Sequence, residues 1–278
     1  MIPVRRDIQF NLGAGSVRNW HAQGPYVTHF INAMSLFFPH GERYFIHTVR
    51  YYRNEITDPE LQKAITAFIG QEAMHGREHE DHNRLLAEAG LPAAEIEAHV
   101  SSLFNLLKKW LPASAQLSTT IAQEHFTAIV GELVLTDERM IAGADRRLRA
   151  LWRWHALEET EHKAVAFDVY ETVMGRGAKA YALRTSGLVL TTAVFLGLVL
   201  YYQQRLLKAD TRMKRRQGLG QFVNFMLGSP GLLPRLALPW LSYLRPGFHP
   251  WDHDNRYLLR EMDALVEELE YEQRPQFA

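Results

Sequence analysis

Residues 72–75 read Glu72-Ala73-Met74-His75, and residues 159–162 read Glu159-Thr160-Glu161-His162. In Glu-x-x-His the two side chains lie three residues apart, so on a helix they share a face and can reach one cation together. One copy is ordinary, because both residue types are common on helix surfaces. Two copies in matching surroundings are not. Glu72 follows Asp58 by the same interval at which Glu159 follows Asp145, Leu61 matches Leu148, and Ala64 matches Leu151. Each segment is preceded by a helical pattern carrying a glutamate beside aromatics: Glu42 in Gly41-Glu42-Arg43-Tyr44-Phe45, and Glu124 in Gln123-Glu124-His125-Phe126. The chain reads as two copies of one helical hairpin.

Outward from these motifs the periodicity stays helical. From Pro39 onward, Phe45, Ile46 and Val49 recur at helical spacing, and Asn54–Pro59 breaks the pattern. Asp58-Pro59 then starts a long helix with Leu61, Ile65, Phe68, Glu72, His75 and His79 on one stripe, ending near Gly90-Leu91-Pro92. Further helices are predicted over 93–109, 114–136 and 145–173, the last ended by Gly175 and Gly177. Residues 1–35, punctuated by Gly13, Gly15, Gly24 and Pro25, read as irregular. No alternating strand pattern of useful length is present, so the expected fold is all-α. The expected organisation is a bundle over 1–176 and a C-terminal helical extension over 177–278.

Hairpin geometry tests the pairing of the lone glutamates with the motifs. In an antiparallel pair, residues equidistant from the turn lie side by side. The midpoint of Glu42 and Glu72 is Thr57, inside the first predicted turn; that of Glu124 and Glu159 falls between Ile141 and Ala142, inside the second. At about 1.5 Å per residue both pairs sit roughly 22–26 Å from their turns. Glu132 is the rival on the third helix, but its midpoint with Glu159 already lies in the fourth.

Four carboxylates and two imidazoles converging in a core are prohibitive without cations. Two divalent ions balance four ionised glutamates. Glu42, Glu72, His75, Glu124, Glu159 and His162 together form the ligand set of ferritin-like di-iron and di-manganese bundles, one Glu from each of two helices and Glu-x-x-His from each of the others. The expected cofactor is therefore two divalent metal ions, iron first, with manganese or zinc as alternatives for a sulfur-free set. His155, one turn before Glu159, is an additional candidate ligand or a core histidine. His79, one turn beyond His75, is a further candidate, although the charges of Gly76–His82 suggest a solvated helix end. Glu158 and Glu161 point to either side of the motif and read as supporting or surface groups, as do Gln71 and His125. Apolar residues complete the inner face: Phe38, Phe45, Phe68 and Ile121 are expected against the substrate, and Ala128 and Gly131 leave room for it or allow close helix packing.

Composition narrows the function classes. Of 278 residues, 47% are hydrophobic and 22% charged, which excludes a disordered chain. Lys+Arg and Asp+Glu both number 31, so bulk charge does not drive nucleic-acid binding. Cysteine is absent, which removes disulfides, thiol catalysis, thiolate zinc sites and iron–sulfur clusters. No apolar run follows Arg5-Arg6, so no secretory signal is expected and a cytoplasmic location is. Ser186–Tyr202 is uncharged, bounded by Arg184 and Gln203, and followed by Lys208, Arg212, Lys214, Arg215 and Arg216. It reads as a helix packed on the bundle or across a dimer, as a peripheral membrane contact, or as a short span. His249-Pro250-Trp251-Asp252-His253-Asp254 offers either a second metal site or, preferably, caps for a last helix over 255–272.

Pro39-His40-Gly41-Glu42-Arg43, Gln71–His79, Trp154–Asp168 and Phe248-His249-Pro250-Trp251 resemble the bacterial family labelled predicted metal-dependent hydrolases. The layout is similar to that of ferritin-like di-metal enzymes, including di-iron arylamine N-oxygenases, which carry an additional histidine where this chain has His155. That resemblance implies oxygen activation at a di-iron centre, without implying an arylamine. The leading expectation is thus a di-iron oxygenase or oxidase acting on a small, largely apolar molecule, with dioxygen and an external electron donor as partners and a homo-oligomeric state. The alternative is hydrolysis by a metal-bound hydroxide. A non-catalytic metal-binding protein is the third reading.

Overall fold

The computed structural model describes residues 1–13, 17–211 and 218–273. Arg212, Lys214, Arg215 and Arg216 of the basic cluster, and Gly15, lie outside them. The described residues form helices and no strand. In chain order these are α1 (Pro25–Ser35), α2 (Phe38–Tyr52), α3 (Pro59–Glu88), α4 (Ala93–Trp110), α5 (Ala113–Thr136), α6 (Arg146–His162), α7 (Val165–Met174), α8 (Ala178–Ala209), α9 (Leu219–Leu227), α10 (Leu232–Ser242) and α11 (Glu261–Gln273). α3 starts after Asp58 as expected, and both long motif-bearing helices are capped by aspartates: Asp58 accepts from the backbone N–H of Glu60, and Asp145 from that of Leu148. α2 pairs with α3 and α5 with α6, and α2 also packs on α5, so the two hairpins enclose one interior.

Three elements depart from the expectation. The segment 1–35 contains α1, every residue of which is buried. A helix buried on every side has no solvent-facing polar stripe to mark it, even though this one carries Thr28, His29, Asn32 and Ser35. Its polar groups are satisfied tertiarily: Asn32 donates to the Val17 carbonyl at 2.7 Å, and His29 Nε2 lies 3.2 Å from Asp210. The single helix expected over 145–173 is two, α6 and α7, separated at Lys163-Ala164. No glycine or proline marks that break. It comes where the Lys163 ammonium turns to donate to Asn255 Oδ1 and the His253 carbonyl and lies 4.3 Å from the Trp251 ring centre. The last helix begins at Glu261, after a short 3-10 turn over Arg256–Arg260.

α8 runs 32 residues against α1 and α5. One face is buried through Leu188, Val199, Tyr202 and Leu206, and Gln203 donates to the Tyr26 carbonyl at 2.7 Å. Its other face is open: Leu190 is 66% and Val194 51% exposed. By length and apolarity α8 is a candidate for crossing a membrane, yet it also lies along the bundle, so packing describes one of its faces only.

α5 and α6 approach closely where Gly131 faces Ala156. A Cβ on Gly131 would stand 3.3 Å from the Ala156 Cα. Gly131 therefore serves helix contact, and it fixes the spacing of Glu124 and Glu159 one to two turns away. Gly131→Leu is expected to lose about 1–3 kcal/mol in chemical denaturation by overpacking this seam, whereas Gly175→Ser, with nothing near its Cβ position, tests only the cost of its positive φ.

Candidate metal centre

Six side chains from four helices meet in the interior: Glu42 from α2, Glu72 and His75 from α3, Glu124 from α5, Glu159 and His162 from α6. Each is at most 2% exposed. Ligand-type atoms gather in three overlapping groups, Glu42 with His75 and His155, Glu72 with His75 and Glu159, and Glu72 with Glu124 and His162. Glu72 and His75 each belong to two of the groups, so the groups form one continuous cluster. The hairpin pairing is therefore crossed. His162 Nε2 is 3.1 Å from Glu72 Oε1 and 3.6 Å from Glu124 Oε2, so each motif reaches into the other hairpin's half.

The electrostatics are severe. Both carboxylate oxygens of Glu42, Glu72 and Glu124 are buried with no hydrogen-bond partner, as are His75 Nδ1 and His162 Nε2. Burial, then the neighbouring carboxylates, pushes Glu42, Glu72 and Glu124 far above the ordinary carboxylate range. Burial acts the same way on Glu159, but His162 and His155 beside it outweigh that and hold it low. His75 is driven well down, first by burial and then by His155. Such a set of acceptors without donors fits divalent cations.

Hydrogen bonding fixes which histidine nitrogen faces inward. Gln71 Nε2 donates to Glu161 at 2.6 Å and to the Val4 carbonyl at 3.0 Å, so its Oε1 must accept. That oxygen lies 2.9 Å from His162 Nδ1, which therefore carries the proton, leaving Nε2 with its lone pair toward Glu72. His75 Nε2 lies 3.1 Å from Glu158 Oε2, leaving Nδ1 inward. A longer chain orients His155. Asn83 Nδ2 donates to the Ser35 carbonyl and to Glu97, so Asn83 Oδ1 accepts the Ser35 hydroxyl proton at 2.9 Å. Ser35 Oγ then accepts from His79 Nδ1, and His79 Nε2 accepts from His155 Nδ1 at 2.7 Å. His155 Nε2 is left unprotonated, 3.0 Å from Glu159 Oε1 and 3.8 Å from Glu42 Oε1. At that distance from Glu159 the two acceptors share a proton, which helps hold Glu159 low, and a divalent cation would take that proton's place. His155 thus stands with the ligand set, and His79 stands one step behind it, with both ring nitrogens engaged.

The stretch expected to be a solvated helix end is so on one face only: Glu80 and Asp81 are exposed, whereas Glu78, His79 and His82 are at most 2% exposed. Burial and the neighbouring His155 hold His79 neutral, and burial alone takes His82 down to about 4. The sequence period was right, and α1 covers this face through Ser35. His125 points elsewhere, to the Pro239 carbonyl at 3.2 Å. Glu132 pairs with His253 and Asn255. The 249–254 segment does not converge on a metal site among the described residues: His249 meets Asp168 at 2.9 Å, Asp252 accepts from the His249 N–H, and Asp254 accepts from the Arg256 N–H. Phe38 and Phe45 line small pockets against Glu42, while Phe68 and Ile121 line none of the pockets described and pack in the core, Phe68 edge-on to His162.

Arg6 had no signature in an irregular segment. Its guanidinium donates to Glu158 Oε1 at 3.0 Å and Glu161 Oε2 at 2.9 Å. A continuous chain of hydrogen bonds results, His75–Glu158–Arg6–Glu161–Gln71–His162, which fixes both inward imidazoles from behind. Trp154 Nε1 adds a donor to Glu158 at 3.0 Å, and Thr127 donates to Glu159 Oε2 at 2.5 Å.

The chain belongs to the family described as predicted metal-dependent hydrolases, which matches residues 4–254. No curated protein and no solved structure matches it.

Two measurements test this centre. In metal-free protein Glu42, Glu72 and Glu124 keep protons that the unfolded chain releases above about 4.5, so the fold loses stability as pH rises. Divalent ions replace those protons and bind better at higher pH. The melting-temperature gap between loaded and chelated protein is therefore expected to widen from about pH 5 to about pH 8, with loading worth on the order of 3 kcal/mol at a hundredfold excess over Kd. Arg6→Met is expected to weaken metal affinity roughly 10–100-fold by releasing both imidazoles, read by competition with a chelating dye.

Proposed function

We propose that this chain is a ferritin-like two-metal enzyme that hydrolyses a largely apolar substrate. The observation that carries the two-metal part is the set of orphaned carboxylate oxygens of Glu42, Glu72 and Glu124 facing the unprotonated nitrogens of His75, His155 and His162. The family's description supports the hydrolytic part. Glu42, Glu72, His75, Glu124, Glu159 and His162, joined by His155, would hold the ions. Divalent ions bound there would supply Lewis acidity toward a substrate oxygen and lower the pKa of water. Glu158 and Gln71 orient His75 and His162, the Ser35–His79 pair orients His155, and Thr127 anchors Glu159. Phe37, Phe38, Phe45, Phe126 and Phe195 wall the approach beside Glu42 and Glu159 and keep bulk water out.

A second reading is oxygen-dependent oxidation by an iron pair. A specific observation favours it: the lining of the two pockets that touch Glu42, His155 and Glu159 contains no lysine or arginine to receive an anionic intermediate, and is mostly aromatic and aliphatic. A carboxylate-rich set with three imidazoles also suits iron or manganese. Under this reading electrons come from an external donor.

Metal content and optical spectrum of the purified chain, before and after reduction and exposure to air, separate the two when run beside p-nitrophenyl ester hydrolysis and dioxygen uptake. The expected outcome is two divalent ions per chain and ester hydrolysis without oxygen uptake, lost by at least about a hundredfold in Glu72→Ala. Air-sensitive absorption with oxygen uptake and no hydrolysis would replace hydrolysis by the second reading. A chain that binds no divalent ion would end both.

A further inference from the structure

A groove of about 350 Å³ runs between α4, α5 and α8. Its walls are Leu103, Phe104, Leu107, Leu183, Leu198 and similar residues, with Ser118, Thr119, Gln123, Ser186 and Thr191 as the polar exceptions, and no charged side chain among them. One edge is the open face of α8, where Leu190 and Val194 stand largely in solvent. At its inner end Phe37, Gln123, Thr191 and Phe195 are shared with the small pocket that touches Glu42. That pocket has a volume of about 30 Å³ and is squeezed between Phe37, Phe45, Phe126 and Phe195. Gly41 lines it, and a Cβ there would sit in ordinary contact with Phe104 at 3.6 Å and Phe45 at 3.9 Å.

The geometry points to a substrate with one long, unbranched aliphatic chain, seated in the α4–α5–α8 groove and reaching the metal centre through the neck beside Gly41. Three observations set this class. The groove is large enough for a ligand and offers an almost wholly apolar wall, which a desolvated alkyl chain rewards and a charged or sugar-like ligand does not. The small pocket offers only about 30 Å³ between four phenylalanines, and a polymethylene segment is the slimmest organic group that would thread it. The mouth opens on an exposed apolar helix face, so an aliphatic chain meets hydrophobic surface before it enters. This rests on the metal-centre reading for its functional meaning, and it applies equally to an acyl ester for hydrolysis and an alkyl chain for oxidation.

Binding, rather than turnover, tests the inference on the full chain. The fluorescence of cis-parinaric acid is followed on addition to metal-loaded and to chelated protein, with palmitate and 2-naphthoate as competitors. Saturable binding displaced by palmitate and not by 2-naphthoate is expected, together with at least about tenfold weaker binding in Thr191→Trp, which plugs the junction of groove and neck. Thr119→Phe, filling the facing wall from α5, is expected to act likewise, and a native-like circular dichroism melt shows that each variant is folded. Unchanged affinity in both folded variants, or equal displacement by 2-naphthoate, overturns the proposal. Because the groove lies outside the ligand set, chain binding persists in chelated protein. Failure to bind metal with intact chain binding would sink the metal centre alone, and normal metal content with no chain binding would sink the groove alone.

Discussion

Three carboxylates with no hydrogen-bond donor of their own share one dry interior, beside imidazole nitrogens that hold lone pairs toward them. Left to themselves, charges so placed would repel and would take up protons. Everything around them answers that constraint. Four helices supply the side chains at one level, close helix contact at Gly131 keeps two of those helices in register, and apolar rings exclude the water that would otherwise solvate the carboxylates. A core of this kind is retained for a bound cation, since packed hydrophobic side chains would stabilise the fold more.

The protein builds rigidity into the centre from behind. Each of the three inward histidines donates its outer N–H to a defined acceptor: Glu158, Gln71 or His79. Those acceptors are fixed in turn by Arg6, Val4, Ser35 and Asn83. The result is a set of pre-aimed lone pairs, which lowers the ordering cost of metal capture. The N-terminal segment, far from the bundle in sequence, is part of this support, so the centre depends on a strand of chain with no helical structure of its own.

Polarity is sharply divided in space. On the α3–α6 side of the centre lie buried hydrogen-bonded networks; on the α2–α5–α8 side lie phenylalanines and an aliphatic groove. The ions would be held from one side and approached from the other. α8 joins the two scales of the molecule, packing on the bundle with one face and leaving Leu190 and Val194 open beside the groove mouth with the other.

The spacing of Glu72, His75, Glu159 and His162 and the equal distances of Glu42 and Glu124 from their turns were readable in the sequence, because helical periodicity converts spacing into direction. The all-helical class followed for the same reason. What periodicity does not encode had to come from the folded chain. α1 escaped notice because a helix buried on every side has no solvent-facing polar stripe, and the break at Lys163 carries no glycine or proline and coincides instead with that side chain's contacts to Asn255 and Trp251. Arg6, Ser35 and Asn83 reach the centre only through long-range packing, and the choice of inward nitrogen on His155 and His162 depends on partners distant in sequence. Local pattern determined which side chains share a helix face; tertiary structure decided which of them face each other across the core, since that depends on how helices cross and on hydrogen bonds no short window contains.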